Sequence, residues 1–304
     1  MTTLQKSLAA AAALLFAFAA NCTAAPPQSG AAQATAPSVK NPPVRTELAN
    51  EAVRSDFWFA STPVQGGLLL GRAPSGVQSV LFGGQSVPVA ADGFFLIGFD
   101  RDAAPNAMVT AQLPSGRTVS KSLTIAAGDW RLEYVNAPYR GGAKSSAEFE
   151  RRRGAELAQI GAARAQNNDS GGWRQEFIWP IKGWLSGFFG AQRIYQGKAG
   201  SYHSGMDIAA AGGTPFVAPA DGVVILAASA PFTLEGNLLM IDHGMGLNSA
   251  FLHCSELLVK TGDVVKQGQV IGKVGATGRA TGPHLHWGMK WHDARVDPKL
   301  LLPD

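Results

Sequence analysis

Short apolar runs alternate with turn signals along much of the chain. Residues 67–71, 77–82, 87–90, 94–99, 108–113 and 118–125 each read as a strand. Their separators, Pro74-Ser75-Gly76, Gly83-Gly84, Asp92-Gly93 and Pro114-Ser115-Gly116, carry turn chemistry. Regular short strands of this kind predict a small β-sandwich-like domain over residues 47–135. The period changes over residues 145–166. Phe149, Leu157 and Ile160 form a thin apolar face, Ser145 or Ser146 can cap the start, and Glu148 sits in the first turn. Residues 136–172 therefore read as a helical linker, with Arg151, Arg152 and Arg153 as a solvated face. Strand patterns return at 214–220, 222–227, 237–242, 248–253, 264–273 and 284–290, within a C-terminal domain over 173–304. Residues 213–224 and 262–272 echo each other, each set around a turn glycine, which predicts a duplicated hairpin. The fold class is all-β, with a helical connector between two β domains.

The first residues follow a different rule. Lys6 precedes an apolar run over residues 8–20, too short to span a bilayer comfortably, and small residues follow at Ala17, Ala19, Cys22 and Ala24. Residues 1–24 read as a cleaved signal peptide, so the chain is exported and the mature part carries no transmembrane helix. Asn21 is a poor match to the small residue that lipoprotein processing wants before a cysteine, which argues against a lipid anchor at Cys22. Residues 25–46, rich in Ala, Pro, Ser and Gln, read as a disordered tether. Cleavage after Ala24 leaves Cys254 alone, so the mature chain has no intramolecular disulfide.

Composition changes this picture little. Of 304 residues, 46% are hydrophobic and 16% charged, enough apolar material for real cores. The net charge of +4 is spread over the segments, so there is no basic patch to suggest a nucleic-acid partner.

The chemistry lies in the histidines. His203, His243, His253, His284, His286 and His292 all follow residue 200. His203-Ser-Gly-Met-Asp207 sets an imidazole four residues before a carboxylate, and Gly205 favours a loop running into a strand over a helix. In His284-Leu285-His286, a strand would project both imidazoles from one face. Taken singly, each motif is more often a surface loop or a structural pair. Together in one β-rich domain they point to a metal. Two His and one Asp supply three zinc ligands and leave a position for water, with either His284 or His286 available as the third. His243 sits at a turn and reads as structural; His292 reads as an exposed loop residue.

These motifs stand among others in a fixed order: Gly213-Thr-Pro215, Ala220-Asp-Gly-Val-Val224, Ile241-Asp-His-Gly244, Phe251-Leu-His253 and Gly278-Arg-Ala-Thr-Gly-Pro-His-Leu-His-Trp287. Over residues 177–302 the chain resembles the M23 peptidase family, the lysostaphin-type zinc endopeptidases of bacterial cell walls. Residues 64–125 also resemble the small β domain that precedes the peptidase in exported Gram-negative members. The resemblance implies one Zn²⁺ held by His203, Asp207 and His286. It implies that His284 stays off the metal and contacts the reacting water or oxyanion, with His253 as general base. It implies an antiparallel sheet with a groove, peptidoglycan stem peptides as substrate, D-Ala–diaminopimelate crosslinks as the bond cut, and a periplasmic location. The alternative it allows is a non-catalytic relative that activates other wall hydrolases; such proteins lose ligands, and all five site residues are present here. The family often has Tyr where Phe251 stands.

Overall fold

A computed structural model describes residues 54–139, 146–228 and 230–303. The expected signal peptide, Cys22, the tether and Ser145 lie outside the described residues. The described chain is built mostly of β-strands, with a single α-helix. No helix among these residues is long and apolar enough to cross a membrane.

The front half forms two sheets. One places Trp58–Phe59, Leu68–Arg72 and Phe94–Gly98 side by side; the other has the order Gln85–Val87, Ser79–Phe82, Asn106–Gln112, Thr118–Thr124. Leu69, Phe95 and Ile97 of the first and Val80, Val109 and Ala111 of the second are all buried in one core. The strand expected over 87–90 ends at Val87 instead. Pro88 follows and has no N–H to give a ladder.

The back half is organised on an eight-stranded sheet. Its order is Val264–Val265, Gly222–Ala227, Asn237–Asp242, Leu247–Cys254, His284–Trp291, Met206–Ala209, Trp184–Gly187, with Ala294–Val296 paired to His284–Trp291. Every pairing in it is antiparallel. The period-two alternation sorts the side chains cleanly. Leu247, Ser249, Phe251, Leu285, Trp287 and Met289 point into the core, whereas Ala250, Leu252, His284, His286 and Gly288 take the opposite face. Phe251 stacks on Trp287 with ring centroids 6.1 Å apart. A tyrosine hydroxyl at that position would therefore start from the core side of the sheet.

The two echoing segments do not form separate hairpins. Pro215–Val217 pairs with Val270–Lys273, and Gly222–Ala227 pairs with Val264–Val265, so each segment lends one strand to the other. The Ala218-Pro219-Ala220-Asp221 corner sends its two arms into different sheets.

The helix Ala147–Arg164 starts where expected: Ser146 Oγ accepts the Phe149 N–H at 3.1 Å. Its buried face differs from the expected one. Ile160 is buried, but Leu157 is 51% exposed, and the other buried positions are Glu156 and Ala163. Ile160 and Ala163 pack on Ile225, Leu238, Met240 and Ala250, placing the helix on the histidine face of the large sheet. The arginine run is correspondingly split. Arg151 and Arg152 are exposed, whereas the Arg153 side chain is only 17% exposed and paired.

Candidate metal centre and active site

Strand register builds the centre. Met206–Ala209 pairs with His284–Trp291 so that Asp207 lies opposite His286 and Ala209 opposite His284. His203 enters from the preceding loop, which is pinned by Gly190 N–H to His203 O at 2.9 Å and His203 N–H to Ala191 O at 2.8 Å. Gly205 between them allows a close approach. A Cβ there would lie 2.6 Å from Trp287 O and 2.8 Å from His286 Nε2.

Three ligand atoms converge. Asp207 Oδ1 is 2.8 Å from His286 Nδ1 and 3.2 Å from His203 Nε2, and the two nitrogens are 3.1 Å apart. A tetrahedral ion with bonds of about 2.0–2.2 Å needs donors roughly 3.3–3.6 Å apart, so a small outward shift would admit one. The donor set of two imidazoles and a carboxylate suits zinc with an open fourth position. Burial alone would raise the Asp207 carboxyl, but hydrogen bonds from His203 and His286 outweigh it and hold the group well below the usual carboxylate range. For His203, burial is outweighed by Asp207, which raises the imidazole. For His286 burial prevails and lowers it.

Backbone carbonyls set the imidazole orientations. His203 Nδ1–H donates to Phe188 O at 3.1 Å, His253 Nδ1–H to Thr277 O at 2.8 Å, and His284 Nδ1–H to Gly282 O at 2.8 Å. The contact fixes the tautomer in each case and leaves Nε2 for the site. The His284 Nε2 stands 3.7 Å from Asp207 Oδ1. His253 reaches the cluster by a break in the strand. Alternation would send it to the core with Phe251, but its φ of +65° turns the ring back. Its centroid lies 4.9 Å from His284 and 6.2 Å from His286. Burial lowers its pKa, which favours the neutral imidazole.

The other two histidines stand apart. His243 is fully buried, donating Nδ1–H to Asp221 O and accepting from Ser249 Oγ, each at 2.8 Å. His292 is exposed at a turn. Cys254 is buried, and burial pushes its thiol up to about 12. Sequence reasoning missed Thr277, whose carbonyl orients His253 and whose hydroxyl donates to Cys254 O while accepting from Asn237 N–H. It also missed the cavity walls. An open cavity of about 760 Å³ beside His203 and Asp207 is lined by Arg131, Tyr139, Phe188, Tyr202 and Arg279. A smaller one of about 270 Å³ reaches His286 under Arg153, Leu157 and Ile160 of the helix. Of the residues lining the larger cavity, Arg279 lies inside a motif and Tyr202 directly precedes one.

Residues 201–298 match the profile of Peptidase family M23. The chain is 36% identical to the cell division protein DipM of Caulobacter vibrioides over 42% of its own length and 21% of the relative's. It is 46% identical to the peptidoglycan DD-endopeptidase ShyA of Vibrio cholerae over 28% of its own length and 19% of the relative's. The matched region thus spans about a fifth of these curated relatives. A crystal structure described as a peptidase M23 from Pseudomonas aeruginosa is 30% identical, with a TM-score of 0.62 over 80% of this chain and 96% of that one. With near-complete coverage of that chain, and with the His203, Asp207 and His286 cluster on its central sheet, the protein belongs to peptidase family M23.

Proposed function

We propose that this chain is a zinc-dependent endopeptidase that cleaves the peptide crosslinks of peptidoglycan, at D-Ala–diaminopimelate bonds, after export to the periplasm. The observation that carries this reading is the meeting of three convergent metal donors with two further imidazoles whose Nε2 atoms are free to face the same space. The names of the V. cholerae relatives, peptidoglycan DD-endopeptidases ShyA and ShyC, support the substrate class.

His203, Asp207 and His286 would hold the ion. Zn²⁺ bound there supplies a water of lowered pKa and polarises the scissile carbonyl. The chain's own groups do the rest. His253, its Nδ1–H engaged by Thr277, has Nε2 available to take a proton from the attacking water and hand it to the leaving amine as the C–N bond breaks. His284 presents Nε2 beside the centre, placed to contact the reacting water or the oxygen on which charge develops. No nucleophilic side chain is needed, in keeping with the burial of Cys254. Retention of all five residues favours a catalyst over an activator that works only by binding.

Digestion of purified sacculi, with products identified by mass spectrometry, tests the reading. New D-Ala carboxyl and diaminopimelate amino termini are expected. Intact crosslinks after incubation with the zinc-loaded protein would reject it.

A further inference from the structure

The helix Ala147–Arg164 lies outside the segment that matches the peptidase family, yet it grips one turn of that segment. Arg153 donates two hydrogen bonds to Glu235, at 2.6 and 2.8 Å, with both side chains less than a fifth exposed. One helical turn on, the buried Glu156 accepts from Thr233 N–H at 2.7 Å and from its hydroxyl at 2.6 Å. Glu156 also pairs with Arg153 at 3.3 Å, so the cluster is connected. A forked guanidinium–carboxylate pair fixes both direction and distance, which a single contact does not.

The gripped turn is the one that shapes the active site. It closes on itself through Phe232 and Gly236, which exchange N–H to O bonds at 2.8 and 2.9 Å. The Glu235 carbonyl accepts the His253 N–H at 2.8 Å. That bond anchors the backbone of a non-glycine residue held at φ +65°, a conformation such residues adopt only where surroundings enforce it. The next residues extend the hold. Asn237 N–H donates to Thr277 Oγ1 at 2.9 Å, and the Thr277 carbonyl orients the His253 ring. Arg279 N–H donates to Leu234 O at 2.9 Å, tying the loop before His284 to the same turn.

We infer that Arg153 is a positioning residue: through its forked bond to Glu235 it fixes the turn whose carbonyl holds His253 in the catalytic cluster. It contributes no atom to the His203, Asp207 and His286 donor cluster. The connector helix is then part of the working peptidase, and residues 173–304 alone lack a support for their general base. This inference rests on the proposed role of His253.

The test uses the full mature chain. Arg153→Ala is expected to keep its zinc and its KM on sacculi-derived crosslinked peptides. Its kcat should fall on the order of ten- to a hundredfold, the cost of a misplaced reacting group. Arg153→Ala/Glu235→Ala should lose no more than Arg153→Ala alone. Gln166→Ala, which removes a contact to Ile225 O at the far end of the helix, should leave kcat unchanged. Arg153→Lys, which keeps the charge without the fork, gives a milder variant should the alanine form not fold, and a smaller drop in kcat is expected. Amide exchange at His253, read by NMR, should quicken in both Arg153 variants and not in Gln166→Ala. An unchanged kcat, or a raised one, which would make the helix a restraint on the groove, overturns the inference. If the wild-type protein cuts no crosslinks, the peptidase reading fails, and exchange decides the clamp by itself: unaltered protection at His253 overturns it.

Discussion

Asp207 and His286 are direct cross-strand partners, Oδ1 to Nδ1 at 2.8 Å, on neighbouring antiparallel strands. Two ligands that face each other across a ladder are held by the sheet itself, and only His203 depends on a loop. The purified mature protein should bind about one Zn²⁺ per chain through these three side chains. Elemental analysis of His286→Ala and Asp207→Ala should show the metal lost. Full zinc in His286→Ala would refute the ligand set.

His253 and His284 make a separable prediction. Both have Nδ1–H committed to a backbone carbonyl and contribute no atom to the three-donor cluster. His253→Ala and His284→Ala should each retain zinc while activity on crosslinked peptides falls by on the order of a hundredfold or more, as for a lost proton-transfer group. Zinc lost from His284→Ala and kept in His286→Ala would reverse the two roles.

Much of this centre was legible because strands have a period of two. His284 and His286 had to share a face, and Gly205 signalled a loop running into a strand between His203 and Asp207. The fold class followed from the spacing of turn residues in the same way. His253 is different. Nothing local announces a histidine at φ +65°, because the backbone bonds that hold it come from Glu235 and Thr277. The paired Arg153 was misjudged for a related reason. A charged residue on a thin amphipathic helix reads as solvated unless its partner is known, and Glu235 lies 82 residues away from Arg153. The echo between residues 213–224 and 262–272 signalled a repeat but not that its halves would exchange strands.

Gly205→Ala tests how tightly the centre is packed. The added Cβ would meet the Trp287 carbonyl at 2.6 Å, and a backbone oxygen in a sheet cannot swing aside as a flexible side chain can. It would also press on His286 Nε2 at 2.8 Å. The expected outcome is a folded protein whose zinc affinity falls on the order of ten- to a hundredfold, a loss typical of disturbed support around metal ligands. Competition with a chromogenic chelator measures it, and wild-type affinity would show that the loop has slack.

The last prediction concerns stability and pH, and rests on His243. Trp287 Nε1–H donates to Ser249 Oγ at 3.0 Å, the Ser249 hydroxyl donates to His243 Nε2, and His243 Nδ1–H donates to Asp221 O. Trp287, Ser249 and His243 are fully buried, their polar side-chain atoms are all satisfied with a neutral imidazole, and a proton added to Nε2 would face a serine already donating to it. Burial accordingly lowers the pKa of His243 from 6.5 to about 4. The unfolded chain therefore binds a proton that the folded chain refuses between those two values. Stability is fully present above pH 6.5 and is lost as pH falls toward 4, by on the order of 3 kcal/mol at about 1.4 kcal/mol per unit. Urea unfolding at several pH values should show this decline in the wild type and a shallower one in His243→Gln. Proton NMR should find the His243 ring unprotonated in the native protein down to about pH 5, well below its usual midpoint. A native-state titration near pH 6.5, or equal slopes in the two proteins, would remove His243 as the cause.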